Sequence, residues 1–170
     1  NLTIEETFAL AVQNHKKNNL QVAEKLYKKI LNTNPNSAGV HNNLGMMYKE
    51  LEEYQKAISC YEKVIENNPN YAKAYYNQGN TYSELGDYQK ALVCYDKAIK
   101  INPNYSVTHN NLGNIFQKLG DLQKAKDCFE KAIEINPNYV DAHNNLGTIF
   151  RMLGENQKAI NCYEKAIEIN

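Results

Sequence analysis

The chain lacks an excess of charge: 19 basic and 19 acidic side chains leave a formal net charge of zero. A neutral chain exerts no global field on a polyanion, so neither nucleic acid nor an anionic membrane surface is an expected partner. No cluster of five or more Lys/Arg occurs, and Lys16-Lys17 and Lys28-Lys29 are the densest basic steps. Missing too is any apolar run near the roughly 18 residues that a membrane span requires. The opening Asn1-Leu2-Thr3-Ile4-Glu5-Glu6 is polar and acidic, unlike the apolar core of a signal peptide. There is no initiator Met, and the expectation is a piece of a longer protein.

No CxxC pair exists, which removes the usual zinc and redox spacings. The four cysteines, Cys60, Cys94, Cys128 and Cys162, stand 34 residues apart. Equivalent positions in stacked helical hairpins are separated by roughly 9–10 Å, beyond the reach of about 7 Å for a disulfide. They read as small half-buried hydrophobes, and four unpaired thiols point to a reducing, cytoplasmic compartment. No nucleophile–base–acid constellation and no phosphate-loop signature can be assembled, so the expectation is a chain without enzymatic activity or cofactor.

What the chain has is a period. Pro35, Pro69, Pro103 and Pro137 are 34 apart, as are Gly45, Gly79, Gly113 and Gly147. Gly86, Gly120 and Gly154 follow their partners by seven. Ala23, Ala57, Ala91, Ala125 and Ala159 form one five-member column, and Tyr27, Tyr61, Tyr95, Phe129 and Tyr163 another. So many registered columns specify a repeat architecture before any propensity is weighed.

One unit contains two helices. Between Val107 and Leu119, the residues Leu112, Ile115, Phe116 and Leu119 fall at i, i+3, i+4 and i+7, one helical face. Gly120-Asp121 interrupts, Gly suiting a left-handed position and Asp an N-cap. Leu122, Ala125, Phe129, Ala132 and Ile133 then mark a second stripe, ended by Asn136-Pro137-Asn138. The short breaks require antiparallel neighbours. Gly113 and its counterparts lie inside the first helix, where Gly costs about 1 kcal/mol relative to Ala, which implies close approach of another helix.

These residues resemble the tetratricopeptide repeat, as in Tyr75…Gly79…Tyr82…Ala91…Tyr95…Ala98…Pro103, with Gln78 in place of Leu. The resemblance covers essentially the whole chain in one array, with repeats at approximately 4–37, 38–71, 72–105, 106–139 and 140–170. It implies an all-α, right-handed superhelical solenoid of about five helix-turn-helix units. The first repeat departs from the pattern with Ala11 and Asn14. Glu52 stands where later repeats have the inter-helix Gly, so that turn is expected to be strained or shifted. The last repeat leaves Ile160, Tyr163, Ile167 and Ile169 without a following helix, and self-association through this C-terminal helix is one expectation.

In this family the first helices line a concave face, which implies a protein or peptide ligand. The inward columns are then Asn43, Asn77, Asn111 and Asn145; Asn42, Tyr76, Asn110 and Asn144; and Met46, Asn80, Asn114 and Thr148. Two readings remain open. The Asn bias can be compositional, or it can form an amide ladder whose donors and acceptors match those of an extended peptide backbone. The segments His109-Asn110-Asn111-Leu112-Gly113-Asn114-Ile115-Phe116 and their equivalents are similar to the repeats of the O-linked N-acetylglucosamine transferase superhelix. That likeness implies, as an alternative, a substrate-recruiting arm of a larger transferase. The two-carboxylate clamp of chaperone-binding members would fall on Phe8, Val12, Asn43, Lys73 and Asn77, where two cations are missing.

His41, His109 and His143 recur at one position, with Tyr75 filling it in the third repeat. No carboxylate or cysteine joins them at ligand spacing, so they read as packing residues and no metal is expected. The tyrosines lie in core columns within neutral surroundings, unlike a basic groove for single strands.

Overall fold

The computed structural model describes residues 2–169. Among them lie ten α-helices and no strand: α1 (Ile4–Lys16), α2 (Leu20–Thr33), α3 (Ala38–Glu50), α4 (Tyr54–Asn67), α5 (Ala72–Glu84), α6 (Tyr88–Ile101), α7 (Ser106–Lys118), α8 (Leu122–Ile135), α9 (Val140–Met152) and α10 (Asn156–Ile169). First helices have 13 residues and second helices 14, alternating through the chain. The all-α repeat expected from the 34-residue period is therefore present.

Local chemistry sets the boundaries. Thr3 and Glu6 form a reciprocal capping box at α1, with bonds of 3.1 and 2.8 Å. Asp87 and Asp121 accept from the backbone N–H of Lys90 and Lys124 and so cap α6 and α8. The second helices α2, α4, α6 and α8 each end at an Asn-Pro step. The Asn68, Asn102 and Asn136 side chains accept from the N–H two residues on, at 3.2–3.3 Å, folding the chain around the proline.

The turn before each second helix needs one left-handed residue. Gly86, Gly120 and Gly154 supply it at φ +76°, +81° and +78°. In the first two turns Asn18 and Glu52 adopt the same conformation, at φ 61° and 58°. The Glu52 turn keeps the geometry of its relatives and carries its strain at that residue.

Two compact units divide the chain, at 1–85 and 86–170. In the first, α1–α5 surround a core that includes Ala11, Tyr27, Val40, Leu44, Met47 and Tyr61. In the second, α6–α10 hold a cluster of Ala125, Phe129, Leu146, Ile149, Phe150 and Ala159. In both, the ring of a second helix lies on the glycine of its own first helix. A methyl group added at Gly45 would sit 2.5 Å from Tyr61 Cε1, and one at Gly113 would sit 2.6 Å from Phe129 Cε1. The glycine column is thus a consequence of aromatic rings lying directly on the first-helix backbone. No helix among the described residues is long and apolar enough to cross a membrane.

The cysteines are free thiols, Cys94 buried and the other three half-buried. Burial pushes Cys60 and Cys94 up to about 11 and Cys128 to about 12.

Candidate functional site

The first helices carry the Asn columns, and stacking separates two adjacent amides on the same helix. Asn42, Asn77 and Asn110 are only 2%, 7% and 4% exposed. Asn43, Tyr76, Asn80, Asn111, Asn114 and Asn145 are half-buried, and Asn144 is exposed. A helix places residues 42 and 43 about 100° apart, so covering one by the neighbouring helix leaves the other at the surface.

The buried amides bond to each other across repeats. Asn77 Nδ2 donates to Asn42 Oδ1 at 2.8 Å, and Asn145 Nδ2 donates to Asn110 Oδ1 at 2.9 Å. Each rung joins residues 35 apart, one repeat plus one position. Asn42 also directs its own Nδ2 to the Met46 sulfur at 3.7 Å. Asn42, Asn77 and Asn110 therefore spend hydrogen-bonding capacity inside the array, and a bonded buried amide is costly to strip of its partner. Of the ten residues expected to face a ligand, Asn42, Asn77, Asn110 and Asn145 hold first helices together, while Asn43, Tyr76, Asn80, Asn111, Asn114 and Asn144 retain exposed surface.

The rim of the same face continues this pattern with polar rungs. His15 Nε2 lies 3.0 Å from Glu50, Lys49 Nζ lies 2.8 Å from Glu84, and Gln117 Nε2 approaches the Met152 sulfur at 3.8 Å. Each again spans 35 residues. These pairs are exposed and contribute little energy singly, but they fix neighbouring first helices in register.

A cavity of about 380 Å³ opens between α1 and α3, lined by Val12, His15, Lys16, Asn18, Tyr27, Asn43, Met46 and Glu50. The Tyr27 and Tyr61 hydroxyls are fully buried without a hydrogen-bond partner. Burial raises the Tyr27 phenol above its ordinary range, and the neighbouring Asn43 amide opposes that shift without forming a bond of good geometry. In the last hairpin the equivalent Tyr163 hydroxyl is 3.3 Å from Thr148 Oγ1.

The histidine column has a second task besides packing. His41, His109 and His143 place Nε2 at 2.7, 3.0 and 2.9 Å from the carbonyl oxygens of Pro35, Pro103 and Pro137. Each ring N–H donates to the turn six residues before it and ties the first helix to the preceding loop. Recurrence of His six residues after Pro was the available signal. No group of three or more His, Cys, Asp and Glu placed to hold a metal occurs among the described residues.

Both ends of the repeat set depart from the interior. The positions filled by Val40, Ala74, Thr108 and Ala142 are buried in every later first helix, as are those of Met47, Thr81, Ile115 and Ile149. In α1 the same two positions are Glu6 and Gln13, both exposed. On α10, Ile160 is 48% and Ile167 75% exposed. The α1 positions are thus polar where later first helices are covered, although Leu10 beside them is 37% exposed.

Comparison with known proteins places this geometry. Residues 38–71 and 72–105 each match a tetratricopeptide repeat model, and residues 104–170 match a second tetratricopeptide repeat model. No curated protein matches by sequence. Among solved structures, MamA is 26% identical over 94% of this chain and 93% of its own, with a TM-score of 0.82. PilF of Pseudomonas aeruginosa is 21% identical over 98% of this chain and 76% of its own, at a TM-score of 0.91. YrrB, described as a repeat protein with an unusual peptide-binding site, is 24% identical over 97% of this chain and 85% of its own, at 0.73.

Proposed function

Because the chain belongs to the tetratricopeptide repeat family, we propose that it is a non-catalytic scaffold binding an extended peptide or partner protein along its first-helix face. The observation that carries this reading is the half-buried amides on the first helices of each unit: Asn43 and Asn80 in the first, Asn111 and Asn114 in the second. A carboxamide offers both a donor and an acceptor, the same pair that a peptide unit presents. The buried rungs beneath hold the helices that carry them, so the surface amides are pre-positioned and lose little freedom on binding. The formal neutrality of the chain favours a ligand without strong charge. YrrB, of the same fold, has a peptide-binding site.

The test is selection from a random peptide library on wild type and on Asn80→Ala/Asn114→Ala. These positions lie outside the buried rungs, so the double variant keeps its fold by circular dichroism. Loss of the enriched peptides from the variant supports binding at this face. Equal enrichment on both proteins removes the first-helix face as the site.

A second reading follows from α10. Its open stripe, with Ile160 and Ile167 exposed, suits association with a second copy. Sedimentation of wild type against Ile160→Lys/Ile167→Glu decides it: a self-associating wild type and a monomeric variant support the contact, and a monomer in both removes it.

A further inference from the structure

We infer that the cavity between α1 and α3 binds a primary carboxamide, the side chain of an Asn or Gln in the bound peptide, with Asn43 as the residue that grips it. This deepens the peptide-binding reading and rests on it.

The argument begins with the register of the ladder. In each closed rung the donor is an Asn and the acceptor is the Asn 35 residues earlier: Asn77 on Asn42, Asn145 on Asn110. Counting 35 back from Asn43 reaches Phe8, which has no acceptor to offer. Its ring packs instead toward Tyr27, with centroids 6.1 Å apart. Asn43 is therefore a donor in ladder position with no rung to complete. It faces the 380 Å³ cavity, large enough for a side-chain amide with its methylenes and adjoining backbone.

The lining defines the chemistry of the missing group. Val12 and Met46 supply apolar wall. Glu50 supplies an acceptor, held by His15 at 3.0 Å. Behind Asn43 the Tyr27 hydroxyl is buried and without a hydrogen-bond partner, and burial disfavours its phenolate. A ligand carboxamide answers this set: its oxygen accepts from Asn43 Nδ2, its NH2 donates to Glu50, and its methylenes lie on Val12 and Met46. As Asn43 commits Nδ2 to the ligand, its Oδ1 accepts from the Tyr27 hydroxyl, which makes Tyr27 a positioning residue. A carboxylate would lose the donation to Glu50 and meet its negative charge, which the exposed Lys16 of the lining offsets only in part, and an aliphatic side chain would leave Asn43 unpaired. The protein already uses amide-on-amide contact at 2.8 Å one repeat further on, so the ligand reproduces a bond native to this array.

The experiment is a titration of ¹⁵N-labelled protein with three acetylated pentapeptide N,N-dimethylamides, Ala-Ala-Xaa-Ala-Ala, where Xaa is Gln, Glu or Leu, so that only the Gln peptide carries a primary carboxamide. It follows the Asn43 side-chain NH2 resonance alongside those of Asn80 and Asn114. The expected result is a saturable Asn43 shift with the Gln peptide, at least about tenfold tighter than with Glu or Leu, from the loss of one to two hydrogen bonds. Tyr27→Phe weakens the Gln peptide several-fold and leaves its order over Glu and Leu unchanged, whereas Asn43→Leu removes the discrimination. Shifts at Asn80 and Asn114 with no preference for Gln at Asn43 overturn the carboxamide site and keep the groove. Absence of saturable shifts at all three residues overturns both.

Discussion

Replacing Gly113 by Ala measures how closely the second-helix ring presses on the first helix. Outside this context the change is favourable, because Ala exceeds Gly in a helix interior by about 1 kcal/mol. Here the new methyl group would lie 2.6 Å from Phe129 Cε1 and 2.9 Å from Cδ1 and Cζ, against about 3.5–4.0 Å for a comfortable carbon–carbon contact. The ring must retreat by about 1 Å, and Phe129 is fully buried. Overpacking of this kind costs about 1–3 kcal/mol, so the net expectation is a loss of up to about 2 kcal/mol. Gly147 provides the control. Its methyl group would meet Tyr163 Cε1 at 2.7 Å, nearly the same overlap, but the Tyr163 ring is only half-buried and can move outward. Gly147→Ala is therefore expected to be close to neutral or mildly stabilising. Urea unfolding followed by circular dichroism gives the comparison through midpoint shifts. Adding Phe129→Leu to Gly113→Ala removes the ring edge and is expected to recover part of the loss. Equal stability of Gly113→Ala and Gly147→Ala would refute the idea that ring burial, and not helix packing in general, keeps glycine at this column.

Three further outcomes are expected. Glu52→Gly relieves a left-handed non-glycine residue and raises stability by about 1 kcal/mol, seen as a higher urea midpoint. Asn42→Leu alone leaves the Asn77 amide buried and unpaired and costs about 1–3 kcal/mol, while adding Asn77→Leu recovers most of that loss; a double-mutant cycle by chemical denaturation reads the coupling. Tyr48→Phe removes the 2.7 Å bond to Glu24, whose carboxyl is held below its usual range first by Lys28 and then by Tyr48. A depressed carboxyl stabilises the fold above its unfolded value and ceases to do so as pH falls through its folded value. The gap between wild type and Tyr48→Phe is accordingly largest at neutral pH and closes in the acid range, which thermal melts at stepped pH will show.

The period made the architecture legible, and the breakers made the boundaries legible. The stripe read over Val107–Leu119 falls within one residue of α7, Ser106–Lys118, and Asp121 caps α8 through Lys124 N–H as its type and place suggest. At Glu52 the residue identity revealed the anomaly but not its form, because strain and displacement leave the same trace in a sequence. The ladder was legible only as a composition. Asn42 and Asn43 are adjacent and chemically identical, and which of them is covered depends on where the neighbouring helix lies. Tertiary stacking decides this, and helical periodicity does not contain it. The same reason hid the His41–Pro35 contact, which needs the loop to fold back on the helix that follows it. The bond from Tyr48 to Glu24 joins two repeats through a pair that the equivalent positions, Ile58/Tyr82, Leu92/Phe116 and Lys126/Phe150, do not repeat.

The polar side chains at Glu6 and Gln13 of α1 have a consequence for stoichiometry. Addition of one copy to the end of another would require the apolar stripe of α10 to meet a first helix with small and apolar residues at the covered positions. The α1 of an incoming copy offers Glu6 and Gln13 there, and burying a carboxylate without a partner is strongly unfavourable. Heterologous growth in that register, which would generate fibres, carries the cost of this buried carboxylate. A contact made by α10 with the α10 of another copy uses the same surface twice and exhausts it. The self-association proposed for α10 is thus expected to pair two copies and not to extend.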